Sequence, residues 1–132
     1  MLKYYGPNGE NVEEPTINFI ENILKKDSSY WASGSGDSSL FFDDETSRLI
    51  FFQNENLGFF IMQHPDYIAP YNPEIEIEKV FHNVGGEPMS VPTCCFVNIV
   101  DAREIFIEFM ANGKISNISN WKDIYELIDY EE

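Results

Sequence analysis

Two histidines, His64 and His82, and two adjacent cysteines, Cys94 and Cys95, are the residues of this chain with the types needed for nucleophilic or metal chemistry. A zinc site of the HExxH kind needs a second ligand at a fixed spacing, and neither histidine has one. A cysteine nucleophile needs a base and an electropositive setting that lowers its pKa. With only 8 lysines and arginines in the chain, that setting is hard to build. Cys94 and Cys95 precede Phe96 and Val97 in a strand-like stretch, which predicts buried, inert thiols. Neighbours on a strand point to opposite faces, so an ordinary disulfide between them is not expected. Gly34-Ser35-Gly36 has part of a phosphate-loop pattern but lacks the lysine and the third glycine, and Asp37 beside it repels phosphate. The pattern predicts no catalysis, no cofactor and no bound metal.

Carboxylates are the abundant reactive group. There are 23 acidic residues, for a net charge of −15. Asp43-Asp44-Glu45 lacks the ligand spacing and turn glycine of a calcium loop and reads as a solvated hairpin tip. Glu74, Glu76 and Glu78 alternate with Ile75 and Ile77, as on a strand with one acidic face. Such a charge argues against direct binding to nucleic acid or to an anionic membrane, which both need a basic surface. It suits a basic protein partner, drawn in by electrostatic steering. The candidate contact surface is therefore acidic, from Asp37, Asp43, Asp44, Glu45, Glu74, Glu76 and Glu78. Tyr30, Trp31, Tyr67 and Tyr71 in predicted loops are its candidate aromatic anchors.

These residues must be carried by a single domain, residues 1–132, with 43% hydrophobic and 15% aromatic residues to fill a core. Pro15 to Lys26 has helical periodicity, with Ile17, Ile20, Ile23 and Leu24 on one stripe and Glu21 spaced to pair with Lys25. Residues 28–39 read as a polar loop. Leu40–Phe42, Arg48–Gln53 and Leu57–Gln63 are joined by short polar turns, which predicts an antiparallel meander. Residues 64–73 hold three prolines and read as an irregular crossing. Ile75–Phe81 and Met89–Val97 are further strands around an Asn83–Gly86 turn, the second interrupted at Pro92. Val100–Asn112 is an amphipathic helix ended by Asn112-Gly113. The tail from Ile115 to Tyr130 suits a short strand and a helical turn. The expected fold is α+β: a mainly antiparallel sheet of five to six strands with two main helices packed on one face. Met1 to Pro7 lacks the apolar run of a signal peptide, and no stretch approaches transmembrane length, so a reducing cytoplasmic location is expected. A dimer is compatible with the sequence and not required by it.

The last third carries a recognisable pattern. Gly86-Glu87-Pro88-Met89-Ser90-Val91-Pro92 leads to the helix Asp101-Ala102-Arg103-Glu104-Ile105-Phe106-Ile107-Glu108-Phe109-Met110-Ala111-Asn112-Gly113, and then to Trp121. It resembles the C-terminal signature of the Imm1 family of bacterial immunity proteins, and Trp31, Leu40-Phe41-Phe42 and Leu57-Gly58-Phe59-Phe60 are compatible with that family's earlier strands. The resemblance implies a protein encoded beside a polymorphic toxin, often one that targets nucleic acid, such as a deaminase. It would bind the toxin domain and occlude its active site without a cofactor. A regulatory module that binds some other basic protein is the alternative.

Overall fold

The structure, a computed structural model, describes residues 1–44, 46–115 and 120–128. Its centre is the predicted meander. Strands β3 (Ser38–Phe42), β4 (Arg48–Asn54) and β5 (Gly58–His64) pair antiparallel in sequence order, with Leu40 opposite Leu49 and Phe52 opposite Phe60. The turn after β4 is set by Asn54, whose Oδ1 accepts from the backbone N–H groups of Asn56 and Leu57 at 2.8 and 3.1 Å.

The sheet extends further on both sides than the sequence predicts. β1 (Leu2–Tyr5) pairs with β3 and with β2 (Asn11–Glu13) at one end. At the other end β6 (Ile68–Pro70) pairs with β5 and with β10 (Trp121–Asp123), which leads into the helical turn α4 (Ile124–Leu127). With the two-residue β9 (Phe96–Val97) on β5, this makes an eight-stranded sheet. A separate antiparallel ribbon consists of β7 (Lys79–Val84) and β8 (Glu87–Pro92). Ten strands among the described residues thus replace the expected five to six. The added ones are mostly three or four residues long, too short to show an alternating pattern.

One sheet face is covered by helices, as expected. α1 (Ile17–Leu24) is capped by Thr16, whose Oγ1 accepts from Phe19 N–H at 3.1 Å, so it starts two residues after Pro15. α3 (Ile99–Asn112) begins at Asn98, whose side chain accepts from Asp101 N–H at 2.8 Å, and ends at Gly113 with φ 75°. Phe19 meets Tyr4 edge-on at 5.1 Å, and Phe106 meets Phe51 at 4.6 Å. Glu21 pairs with Arg103 of α3 at 3.1 Å, where the helical spacing had suggested Lys25. On the opposite face Phe52 and Phe60 stack at 5.2 Å beneath the ribbon.

Three expectations are corrected. Residues 28–39 are not all loop: Asp27 accepts from Ser29 N–H and starts the short helix α2 (Ser28–Trp31). That turn directs Trp31 into the core, 0% exposed against Phe51 and Phe59. The strand expected from Ile75 begins only at Lys79, opposite Pro92. Pro92 has no N–H to continue the ladder, and Ile75 to Glu78 lie outside it with their side chains exposed. The strand expected over Met89–Val97 breaks into β8, a 3₁₀ turn at Thr93–Cys95, and β9. Thr93 organises that break: its N–H donates to Glu78 O at 2.9 Å, and its Oγ1 accepts from Glu78 N–H and donates to Glu76 O. No described helix is long and apolar enough to cross a membrane.

Candidate functional site

A groove of about 530 Å³ lies between α3 and the β6–β10 edge of the sheet. On α3, Asp101, Glu104, Ile105 and Glu108 recur at intervals of three and four, so they share one stripe about 10 Å long. Ala102, Phe106 and Phe109 occupy the neighbouring stripe and are buried. Anchoring those three against the sheet turns the carboxylate stripe sideways, over the groove. Asp101 and Glu104 are exposed, and Glu108 is half-buried. Asp101 also lies in the first turn, where a negative charge complements the helix dipole.

The opposite wall comes from two distant segments. Trp121 pairs with Pro70 in the β6–β10 ladder, and Tyr71 N–H donates to Asn120 O at 2.9 Å. The half-buried Tyr71 and Trp121 both line the groove. Asn72 N–H donates to Cys94 O at 2.9 Å, which ties the wall to the 3₁₀ turn. Phe96, Val97 and Ile115 complete the apolar lining. The described lining contains no lysine, arginine or histidine.

Cys94 also borders the groove, yet it and Cys95 are fully buried. Burial pushes both thiols above their ordinary pKa, Cys95 more strongly. At neutral pH both are therefore protonated and weakly nucleophilic. His82 is spent on the fold: its ring stacks on Phe52 and its Nε2 bonds Gly36 O at 2.7 Å. His64 packs edge-on against Tyr67 at 5.6 Å. Among the described residues no three histidines, cysteines or carboxylates cluster as a metal site would require.

The residues named from the sequence fall at separate stations. Trp31 is removed from the contact surface by its burial. Tyr30 is half-buried and committed internally. Its hydroxyl donates to Glu10 Oε2 at 2.9 Å and lies 2.7 Å from Tyr4 Oη, which in turn lies 2.8 Å from Ser38 Oγ. Since the Tyr30 proton goes to the carboxylate, Tyr4 donates to Tyr30 and accepts from Ser38. Asp37 accepts from Gly85 N–H at 2.9 Å and holds the ribbon tip. Asp43 and Asp44 are exposed at the β3–β4 turn, with Lys3 3.7 Å from Asp43; Glu45 lies outside the described residues. Tyr67 packs edge-on against Tyr125 at 5.2 Å. Glu74, Glu76 and Glu78 are exposed on the segment that follows the groove wall at Tyr71 and Asn72. Of the named residues that the structure describes, only Tyr71 lines the groove. Asp101, Glu104 and Glu108 are acidic positions of the helix predicted over Val100–Asn112. Their three- and four-residue spacing was visible, but the wall facing them was not.

Comparison of the chain with protein-family models, with curated proteins and with solved structures finds no match in any of the three.

Proposed function

We propose that this chain is an immunity protein of the Imm1 type, which binds a basic, nucleic-acid-targeting toxin domain in the cytoplasm and blocks its active site. It works by binding and not by catalysis. The observation that carries this reading is the joint placement of charge and shape: a net charge of −15, with an acid-lined, aromatic-walled groove next to the exposed Glu74–Glu78 segment. A toxin that grips nucleic acid has a basic cleft, and a surface of this kind is complementary to it. Opposite charge speeds the encounter, and aromatic anchors in a polar rim hold the complex. Immunity pairs of this sort reach Kd values near 10⁻¹³ M.

The test is a titration of the protein against the toxin domain encoded beside its gene, at low and at moderate salt. Tight binding that weakens with salt supports the reading. Absence of binding at micromolar concentrations removes it, and leaves a module for some other basic protein. Charge reversal across Asp43, Asp44, Glu74, Glu76 and Glu78 should slow association. Unchanged affinity and salt dependence would mean that these acids do not face the toxin.

A further inference from the structure

We infer that the groove between α3 and the β6–β10 edge is a receptacle for an arginine side chain presented by a protein partner. The inference takes the partner's identity from the function proposed above, but its chemistry from the groove alone.

The lining is of two kinds: the α3 carboxylates Asp101 and Glu104, and the aromatic residues Tyr71 and Trp121. An ammonium group is a compact, strongly hydrated charge that gains little from a ring wall. A guanidinium is planar and more weakly hydrated. It can lie flat on an aromatic face while its N–H fork engages carboxylates in its own plane. A groove lined by both aromatic and acidic residues offers both kinds of contact. Its volume of about 530 Å³ falls within the range of pockets that enclose small organic groups. It therefore admits a whole arginine side chain from a projecting loop. The rigid setting favours such an insertion. α3 is anchored by Phe106 and Phe109, both fully buried, and Trp121 is held in a strand ladder. Little ordering remains to oppose binding.

The experiment uses two probes, acetyl-Gly-Arg-Gly-Arg-Gly-amide and its lysine counterpart. Each is titrated into the full chain at low salt, with Trp121 fluorescence as the readout over the constant background of buried Trp31. The arginine peptide should saturate below about 1 mM and bind roughly tenfold more tightly than the lysine peptide. Asp101→Asn/Glu104→Gln should weaken it by about tenfold or more. Glu13→Gln/Glu14→Gln, a matched charge loss at the opposite sheet edge, should change it by less than about twofold. Thermal melting of each variant confirms that it folds. Equal binding of the two peptides overturns the guanidinium assignment. Equal loss in both double variants, or no saturation, overturns the groove. A parallel titration with the neighbouring toxin domain separates the two readings. If the toxin binds Asp101→Asn/Glu104→Gln as tightly as the parent chain, the groove inference fails while immunity stands. If the arginine peptide binds as described but the toxin does not, immunity fails while the groove inference stands.

Discussion

The imidazole of His82 lies flat on the ring of Phe52, with centroids 3.8 Å apart and planes 4° from parallel. Its Nε2 sits 2.7 Å from Gly36 O, so that nitrogen carries the hydrogen. Gly86 N–H donates to Ser35 O at 3.0 Å, and Gly85 N–H donates to the Asp37 carboxylate. One histidine and one glycine-rich loop thus fasten the β7–β8 ribbon to the main sheet.

This attachment makes the ribbon a separable unit of stability. His82→Ala should cost about 2 kcal/mol, from the lost stack and the carbonyl left unpaired. Gly36 has φ 87°, and a Cβ there would lie 2.2 Å from Asn83 O, so Gly36→Ala should loosen the same contact. Hydrogen exchange should accelerate over residues 79–92 in both variants and stay slow in β4 and β5. Uniform acceleration across the whole sheet would show that the ribbon has no independent attachment.

The Ser38–Tyr4–Tyr30–Glu10 relay predicts a specific alkaline response. Burial holds the Tyr4 and Tyr30 hydroxyls above their ordinary pKa of 10, with the hydrogen bond that Tyr30 donates to the Glu10 carboxylate adding to the effect on Tyr30. A raised folded pKa means that the stabilising contribution is complete below the unfolded value. It is lost as pH rises from there through the folded value. The urea midpoint should therefore fall above pH 10, and Tyr30→Phe should make that fall shallower while costing about 1 kcal/mol at neutral pH. An alkaline slope identical in the parent chain and the variant would exclude Tyr30 as a contributor.

Cys94 and Cys95 should resist iodoacetamide in the folded protein at neutral pH, since both are buried and held as thiols. Both should label quickly in urea. Rapid labelling of either in the native state would reopen a nucleophilic role, with the groove beside Cys94 as the place to look.

The two tryptophans should report two environments. Trp31 is fully buried, and Trp121 is half-buried along the groove. Acrylamide should quench one component and spare the other, and Trp121→Phe should abolish the quenchable one. Trp31→Ala should cost about 3–5 kcal/mol, as expected for emptying an aromatic site in a packed core. Trp31→Phe should cost less, because the indole Nε1 it removes is a buried donor with no hydrogen-bond partner. A surface anchor would show the opposite pattern, with little effect on stability from either change.

The sequence by itself determined the features that depend on near neighbours. The apolar stripe of α3 and its Gly113 end, the β3–β4–β5 meander and its turns, and the Gly85-Gly86 reversal were all legible. Each follows from local periodicity or from the φ values that a residue tolerates, and neither needs the rest of the chain. The acidic balance was legible too, because charge is additive. Tertiary structure alone decided the burial of Trp31, since one capped turn at Asp27 reverses the direction of an aromatic in an otherwise polar stretch. It also decided the groove. Tyr71 and Trp121 line the same groove as the α3 carboxylates only because β6 pairs with β10 and α3 packs its phenylalanines on the sheet. Three-residue strands that pair across a long stretch of chain carry no periodic signal of their own. Their register is set by what packs around them.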